Sequence, residues 1–117
     1  MSEQEEVSIF SRIIAGEFGT EFVAESENVV AFNDINPQAP VHVLIVPRRQ
    51  IRSVAELTRA DDALLGEMIA LVNEVAQKLG VAESGYRVLT NVGADAGQTV
   101  FHLHWHLLAG KTLGELA

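Results

Sequence analysis

Three of the chain's four histidines stand at every second position of one short run: His102, His104 and His106. Imidazole, with an unperturbed pKa of about 6.5, can serve as neutral base, charged donor or nucleophile near neutrality. Alternate residues of an extended segment project to one face, so the three rings share a side while Phe101, Leu103, Trp105 and Leu107 point the other way. One side packs and the other carries imidazoles. A metal ion is the first chemistry to weigh. Same-face residues on a strand lie about 6.6–6.8 Å apart, which separates the outer two by roughly 13 Å. With bonds of about 2.0–2.1 Å to each ring nitrogen, one ion cannot easily take all three. Two of them could share it with His42 or Asp34, which leaves the third ring without a task. The rival chemistry is a row whose central ring reacts while its neighbours position a substrate.

Immediately upstream runs Gly93-Ala94-Asp95-Ala96-Gly97-Gln98-Thr99. Small residues of this kind let backbone N–H groups form an anion-binding concavity. Placed before three imidazoles, these donors and the Thr99 hydroxyl would surround one phosphoryl group. The pattern G-x-x-x-x-G-K-[ST] is absent, which excludes a triphosphatase of the P-loop type.

The elements that must hold this row are legible in outline. Residues 7–15 carry Ile9, Phe10, Ile13 and Ile14 at helical spacing, with Gly16 as a stop. Residues 21–24 and 29–33 read as short strands, and Pro37 and Pro40 make the segment after Asp34 a shaped loop. A buried strand is expected over 41–46, ended by Pro47. Residues 58–80 form the clearest helix, with Thr58 as cap, Gly80 as exit and an apolar stripe of Leu64, Leu65, Met68, Ile69, Val72, Val75, Ala76 and Leu79. Strands are expected over 86–91 and 100–108. Strands on either side of one long helix indicate an antiparallel α+β domain.

Composition limits the partners. The chain has 117 residues, 48% hydrophobic and 21% charged, enough for one globular domain. Its net charge of −8 disfavours nucleic acid as the main partner. The acidic residues 1–6 read as a frayed start and not as a secretory signal, and no apolar run is long enough for a membrane span. The absence of cysteine removes thiolate chemistry and suits a reducing cytosol. A soluble cytoplasmic protein is the expectation.

Phe101-His102-Leu103-His104-Trp105-His106-Leu107-Leu108 resembles the signature of the histidine triad family, three histidines separated by apolar residues. Residues 9–17, 30–42 and 45–49, with Tyr86-Arg87 and residues 91–98, are similar to its Hint branch. The resemblance spans about residues 9–111, with the domain placed at 7–111 and a tail at 112–117. It implies a five-stranded antiparallel sheet with one long helix and a short N-terminal helix, the sheet continuing across a homodimer. It implies hydrolysis of purine nucleoside 5′-phosphoramidates, AMP amides among them, through a nucleotidyl-histidine and without a metal or other cofactor. His104 would be the nucleophile, with His42, His102 and His106 in supporting catalytic roles and His106 charged. Ile9, Phe10, Ile13, Phe32 and Ile35 would line the base pocket and Asp34 would hold the ribose. Asn91, Gly97, Gln98, Thr99, Val100 and His106 would meet the phosphate. A dinucleoside polyphosphate hydrolase of the same superfamily and a nucleotide-binding module with little turnover are the alternatives. Thr99 stands where the family usually has serine, Gln50 where histidine is common, and Ala109-Gly110 where Gly-Gly is usual.

Overall fold

The computed structural model describes residues 6–116. Of the acidic start expected to fray, all but Glu6 lies outside the described residues. Five strands form one antiparallel sheet in the order β1-β2-β3-β5-β4. They are β1 (Ala24–Glu25), β2 (Val29–Asn33), β3 (Val41–Pro47), β4 (Tyr86–Leu89) and β5 (Trp105–Ala109), with helices α1 (Ile9–Ile14) and α2 (Asp62–Lys78). The expected α+β architecture is present, and the homodimeric continuation is taken up below.

The central strands β2 and β3 are buried on both faces, which explains their nearly unbroken apolar runs. Val29, Ala31, Val43, Ile45 and Leu107 pack against Met68, Leu71, Val72 and Val75 of α2. Val30, Phe32, Leu44 and Val46 face the opposite way and close over Phe10 of α1. Each fully buried side chain of this size contributes about 1.5–3 kcal/mol. Strand alternation therefore sorts β3 into two sets: His42, Leu44 and Val46 look toward the site, while Val43 and Ile45 look toward α2.

The long helix starts later than its sequence signals indicate. Thr58 caps a 3-10 turn, Arg59–Asp61, through a capping box with Asp61, and α2 follows from Asp62. Gly80 takes φ +74° at the exit, as expected. The buried stripe is Met68, Leu71, Val72, Val75 and Ala76; Ile69 and Leu79 stay exposed. Leu71 belongs to the stripe because it falls one turn after Met68, whereas Ile69 is rotated off the core side.

The expected strand over 100–108 is shortened to Trp105–Ala109. The cause lies in its neighbours. Leu89 at the end of β4 pairs with His106, so the chain before Trp105 has no ladder partner on that side. It is held instead by Leu103 N–H donating to Ile51 O (2.6 Å) and Thr90 Oγ1 donating to His104 O (2.8 Å). The strands expected over 21–24 and 86–91 are likewise shorter, at Ala24–Glu25 and Tyr86–Leu89. Gly110, just past β5, has φ +96°, and a Cβ there would meet Pro40 Cβ at 2.9 Å. Glycine is required at that crossing.

Candidate active site

Register across three strands sets the floor of a cavity. Phe32 of β2 lies opposite Leu44 of β3, and Leu44 lies opposite His106 of β5. Above this row, α1 brings Phe10 edge-on to Phe32 (5.6 Å between centroids) and to His104 (4.9 Å). The position of α1 rests on Ser8, whose Oγ caps it by accepting from Ser11 N–H (2.9 Å).

The resulting cavity, about 370 Å³, is lined by Ile9, Phe10, Ile13, Phe32, Asp34, Ile35, Asn91, Gly97, Gln98, Thr99, Val100, His104 and His106. Thus every residue expected to bind nucleotide lines one space. Thr20, Asn33 and Leu44 line it too and were missed. Leu44 was findable, since it alternates with His42 on β3; nothing local marked Thr20. Ile35 is 99% exposed at the rim. His42 and His102 stand behind the cavity wall, nearly or wholly buried.

Hydrogen-bond partners assign the tautomer of every ring. His104 Nδ1 lies 2.7 Å from His102 O, a carbonyl that can only accept. Nδ1 therefore carries the proton, and Nε2 keeps a lone pair. His42 Nδ1 accepts from Gln38 N–H (2.9 Å), so its proton is on Nε2. From there it donates to His106 Nδ1 (2.9 Å), with Asp34 Oδ2 at 3.4 Å. The proton of His106 is then on Nε2. His102 donates from Nε2 to Pro47 O (2.8 Å) and accepts at Nδ1 from Ser8 Oγ (2.6 Å).

Burial makes these rings hard to charge. It is the leading cause holding His42, His102 and His104 below the ordinary imidazole value, and a nearby Asp34 only partly opposes it at His42 and His104. Burial, then the neighbouring rings of His104 and His42, push His106 down to about 4. In the free protein this low value favours a neutral ring that offers a single N–H, whereas the charged His106 expected above belongs to the nucleotide-loaded site.

Asp34, His42 and His106 bring ligand atoms within 4.8 Å of one another, a group that could hold a metal ion. Ligation by His42 Nε2 would drive its proton to Nδ1, where Gln38 N–H already points. The two donors would then oppose each other. This loop geometry disfavours His42 as a ligand.

The loop before the triad is built around a buried glutamine. Gln98 Oε1 accepts from Gly93 N–H (2.9 Å), and Nε2 donates to Arg52 O (2.9 Å) and Val100 O (3.1 Å). Its amide shapes the loop from inside. Gln50 plays a comparable part at the N-terminal side. Oε1 accepts from Ser8 N–H (2.8 Å) and Ser11 Oγ (2.9 Å), while Nε2 donates to Glu6 O (2.8 Å). Ser8, Ser11, Gln38 and Gln50 are thus the supports that sequence reasoning did not assign.

The sheet order and the partly buried imidazole row under a nucleotide-sized cavity define an α+β histidine-triad site. The HIT domain model matches residues 15–113, and the chain belongs to the HIT family. It is 41% identical over 111 residues to a purine nucleoside phosphoramidase of Escherichia coli, covering 95% of this chain and 93% of that protein. An uncharacterised HIT-like protein of Synechocystis is 45% identical over 106 residues, covering 91% and 92%. Among solved structures, a HIT family hydrolase from Clostridium thermocellum superposes with a TM-score of 0.90 at 46% identity, covering 97% and 98%. A histidine triad protein from Clostridium difficile gives 0.90 at 37% identity, covering 97% and 99%. Hydrolysis of a nucleotide is the activity this kinship supports.

Proposed function

We propose that this chain hydrolyses purine nucleoside 5′-phosphoramidates, AMP amides among them, through a covalent nucleotidyl-His104. One observation carries the reading: the His102 carbonyl fixes the Nδ1 proton of His104, leaving Nε2 unprotonated beside a cavity of nucleotide size. The activity named for the Escherichia coli relative supports it.

In this mechanism the base lies among Phe10, Ile13 and Phe32, and Asp34 receives the ribose hydroxyls. His104 Nε2 forms a bond to phosphorus as the P–N bond breaks. The amine nitrogen keeps the bonding pair and takes a solvent proton. Water then displaces His104, returns one proton to solvent and releases the nucleoside monophosphate. Covalent catalysis divides one displacement into two easier ones. His106 Nε2–H and the backbone donors of the loop offset charge on the phosphoryl oxygens, an effect of about 2.7–4 kcal/mol per well-placed donor. No step needs a metal ion.

The test is turnover of an AMP amide after exhaustive chelation, with rapid-quench mass spectrometry for the adduct. Activity that survives chelation, is lost in His104→Ala and passes through a nucleotidyl-histidine supports the reading. Loss on chelation with recovery on zinc would overturn it.

The homodimer belongs to the same proposal. β4 is an edge strand, and beside it Val88, Leu89, Ile69 and Trp105 line an apolar hollow of about 270 Å³. Trp105 Nε1 is buried there without a hydrogen-bond partner among the described residues. Pairing β4 with its copy would satisfy the edge and cover the hollow. A sedimentation mass of twice 12.7 kDa is expected, falling to the monomer in Val88→Asp. A monomeric mass for the unmodified chain would refute it. A cysteine-free chain of this kind suits the reducing cytoplasm.

A further inference from the structure

The ring proposed to react sits where strand pairing has not yet begun. β5 starts at Trp105, so His104 and the residues just before it run outside the ladder. The bond from His104 Nδ1 to the His102 carbonyl sets the rotation and tautomer of the ring. It cannot set the ring's place in the molecule, because donor and acceptor belong to one short segment and would move together. That place depends on ties from the segment to other elements. Leu103 N–H donates to Ile51 O (2.6 Å), and the His102 ring donates to Pro47 O (2.8 Å). A third tie is made to His104's own backbone: Thr90 Oγ1 donates to the His104 carbonyl (2.8 Å).

Thr90 is the first residue past β4 and takes over where that strand stops pairing, at Leu89 with His106. It stands at a divide. Thr90 lines the apolar hollow with Val88 and Trp105, while the next residue, Asn91, lines the nucleotide cavity. A β-branched side chain has few χ1 positions open to it, so the hydroxyl stays aimed at the carbonyl with little rotamer freedom to lose. An apolar residue here would leave the His104 carbonyl without that donor at the edge of an apolar hollow. A carbonyl so deprived shifts toward water or another partner, and the segment shifts with it.

We infer that Thr90 is a positioning residue for the nucleophile: its hydroxyl holds the His104 backbone where Nε2 can meet phosphorus, from outside the lining of the nucleotide cavity. The inference rests on the phosphoramidase reading and adds to it a residue that acts through His104. Misplacing a reacting group by about 1 Å costs on the order of 100-fold in rate. With the Ile51 and Pro47 ties left in place, a smaller shift and about a tenfold loss are expected, about 1.4 kcal/mol of barrier.

The experiment deletes the hydroxyl alone. Thr90→Val keeps the branched shape, Thr90→Ser keeps the hydroxyl, and Thr90→Ala repeats the deletion should valine disturb the fold. Rapid-quench single turnovers at saturating AMP amide read the rate of nucleotidyl-His104 formation. Calorimetry reads AMP binding, and NMR reads the His104 ring nitrogens and the Nδ1 proton. In Thr90→Val the adduct should form about tenfold more slowly, AMP should bind as it does to the unmodified chain, and the His104 signals should shift. Thr90→Ser should recover most of the rate and the original signals. An unchanged rate without the hydroxyl overturns the inference. So does a loss that Thr90→Ser fails to restore, or one matched by an equal loss of AMP binding, either of which marks Thr90 as structural. Failure of the unmodified chain to form the adduct strikes the phosphoramidase reading instead, and the His104 signals of the variants still decide whether Thr90 positions the ring.

Discussion

The native chain holds His106 neutral down to about pH 4, whereas an unperturbed imidazole titrates at 6.5. Between those values the unfolded chain binds more protons than the folded one. Stability is therefore fully present above 6.5, falls as pH drops through it and flattens only below about 4. A difference of about 2.5 units at about 1.4 kcal/mol each sets a ceiling of about 3.4 kcal/mol. Of this, about 2 kcal/mol is lost by pH 5. The ring is partly exposed, and the depression caused by His104 and His42 is shared with their own titration, so about 1 kcal/mol at pH 5 is the expected share. Urea melts of the unmodified chain and His106→Gln at about pH 7 and pH 5 measure it. The unmodified chain should lose about 1 kcal/mol more than the variant on acidification. An NMR titration of the ring proton should place His106 well below 6.5 in the folded protein. Equal losses in both proteins, with His106 titrating near its ordinary value, would refute the neutral row.

Three further outcomes follow from named contacts. Ser8→Ala removes the donor to buried His102 Nδ1 and the cap of α1. It should cost about 1–3 kcal/mol in thermal unfolding and move the His102 ring nitrogen shifts. Gln98→Ala leaves Gly93 N–H and the Arg52 and Val100 carbonyls without their partner. KM for AMP amide should rise severalfold while the His104 adduct still forms; an unchanged KM would show the loop needs no such frame. Gly110→Ala forces a side chain to φ +96° and against Pro40. A loss of at least about 1–2 kcal/mol in urea unfolding is expected, and a neutral result would count against the close crossing.

Much of the scaffold was legible because it rests on local pattern. β2 and β3 announce themselves by unbroken apolar residues, and the helix core follows the period of Met68, Val72 and Val75. The imidazole row was legible from alternation alone, even though strand pairing begins only at Trp105. What could not be read lies in contacts between residues distant along the chain. The Pro47 carbonyl meets His102 because proline ends β3 there, and Ser8 reaches the same ring across 94 residues. No periodicity encodes such pairs. The depressed pKa of His106 in the free protein was not legible for the same reason, since burial is a property of the folded molecule. Gln50, set aside in sequence as a departure, proved to fasten the N-terminal segment.

The chain has one tryptophan, and it sits between His104 and His106 in sequence with its indole turned to the opposite side of the same strand. Its emission is thus an intrinsic optical reporter next in sequence to the ring proposed to react. On the proposed reading, a nucleotide settling on His104 or a second copy covering the hollow around Trp105 would each act close to one fluorophore, so emission is the dye-free signal with which to test occupancy and assembly.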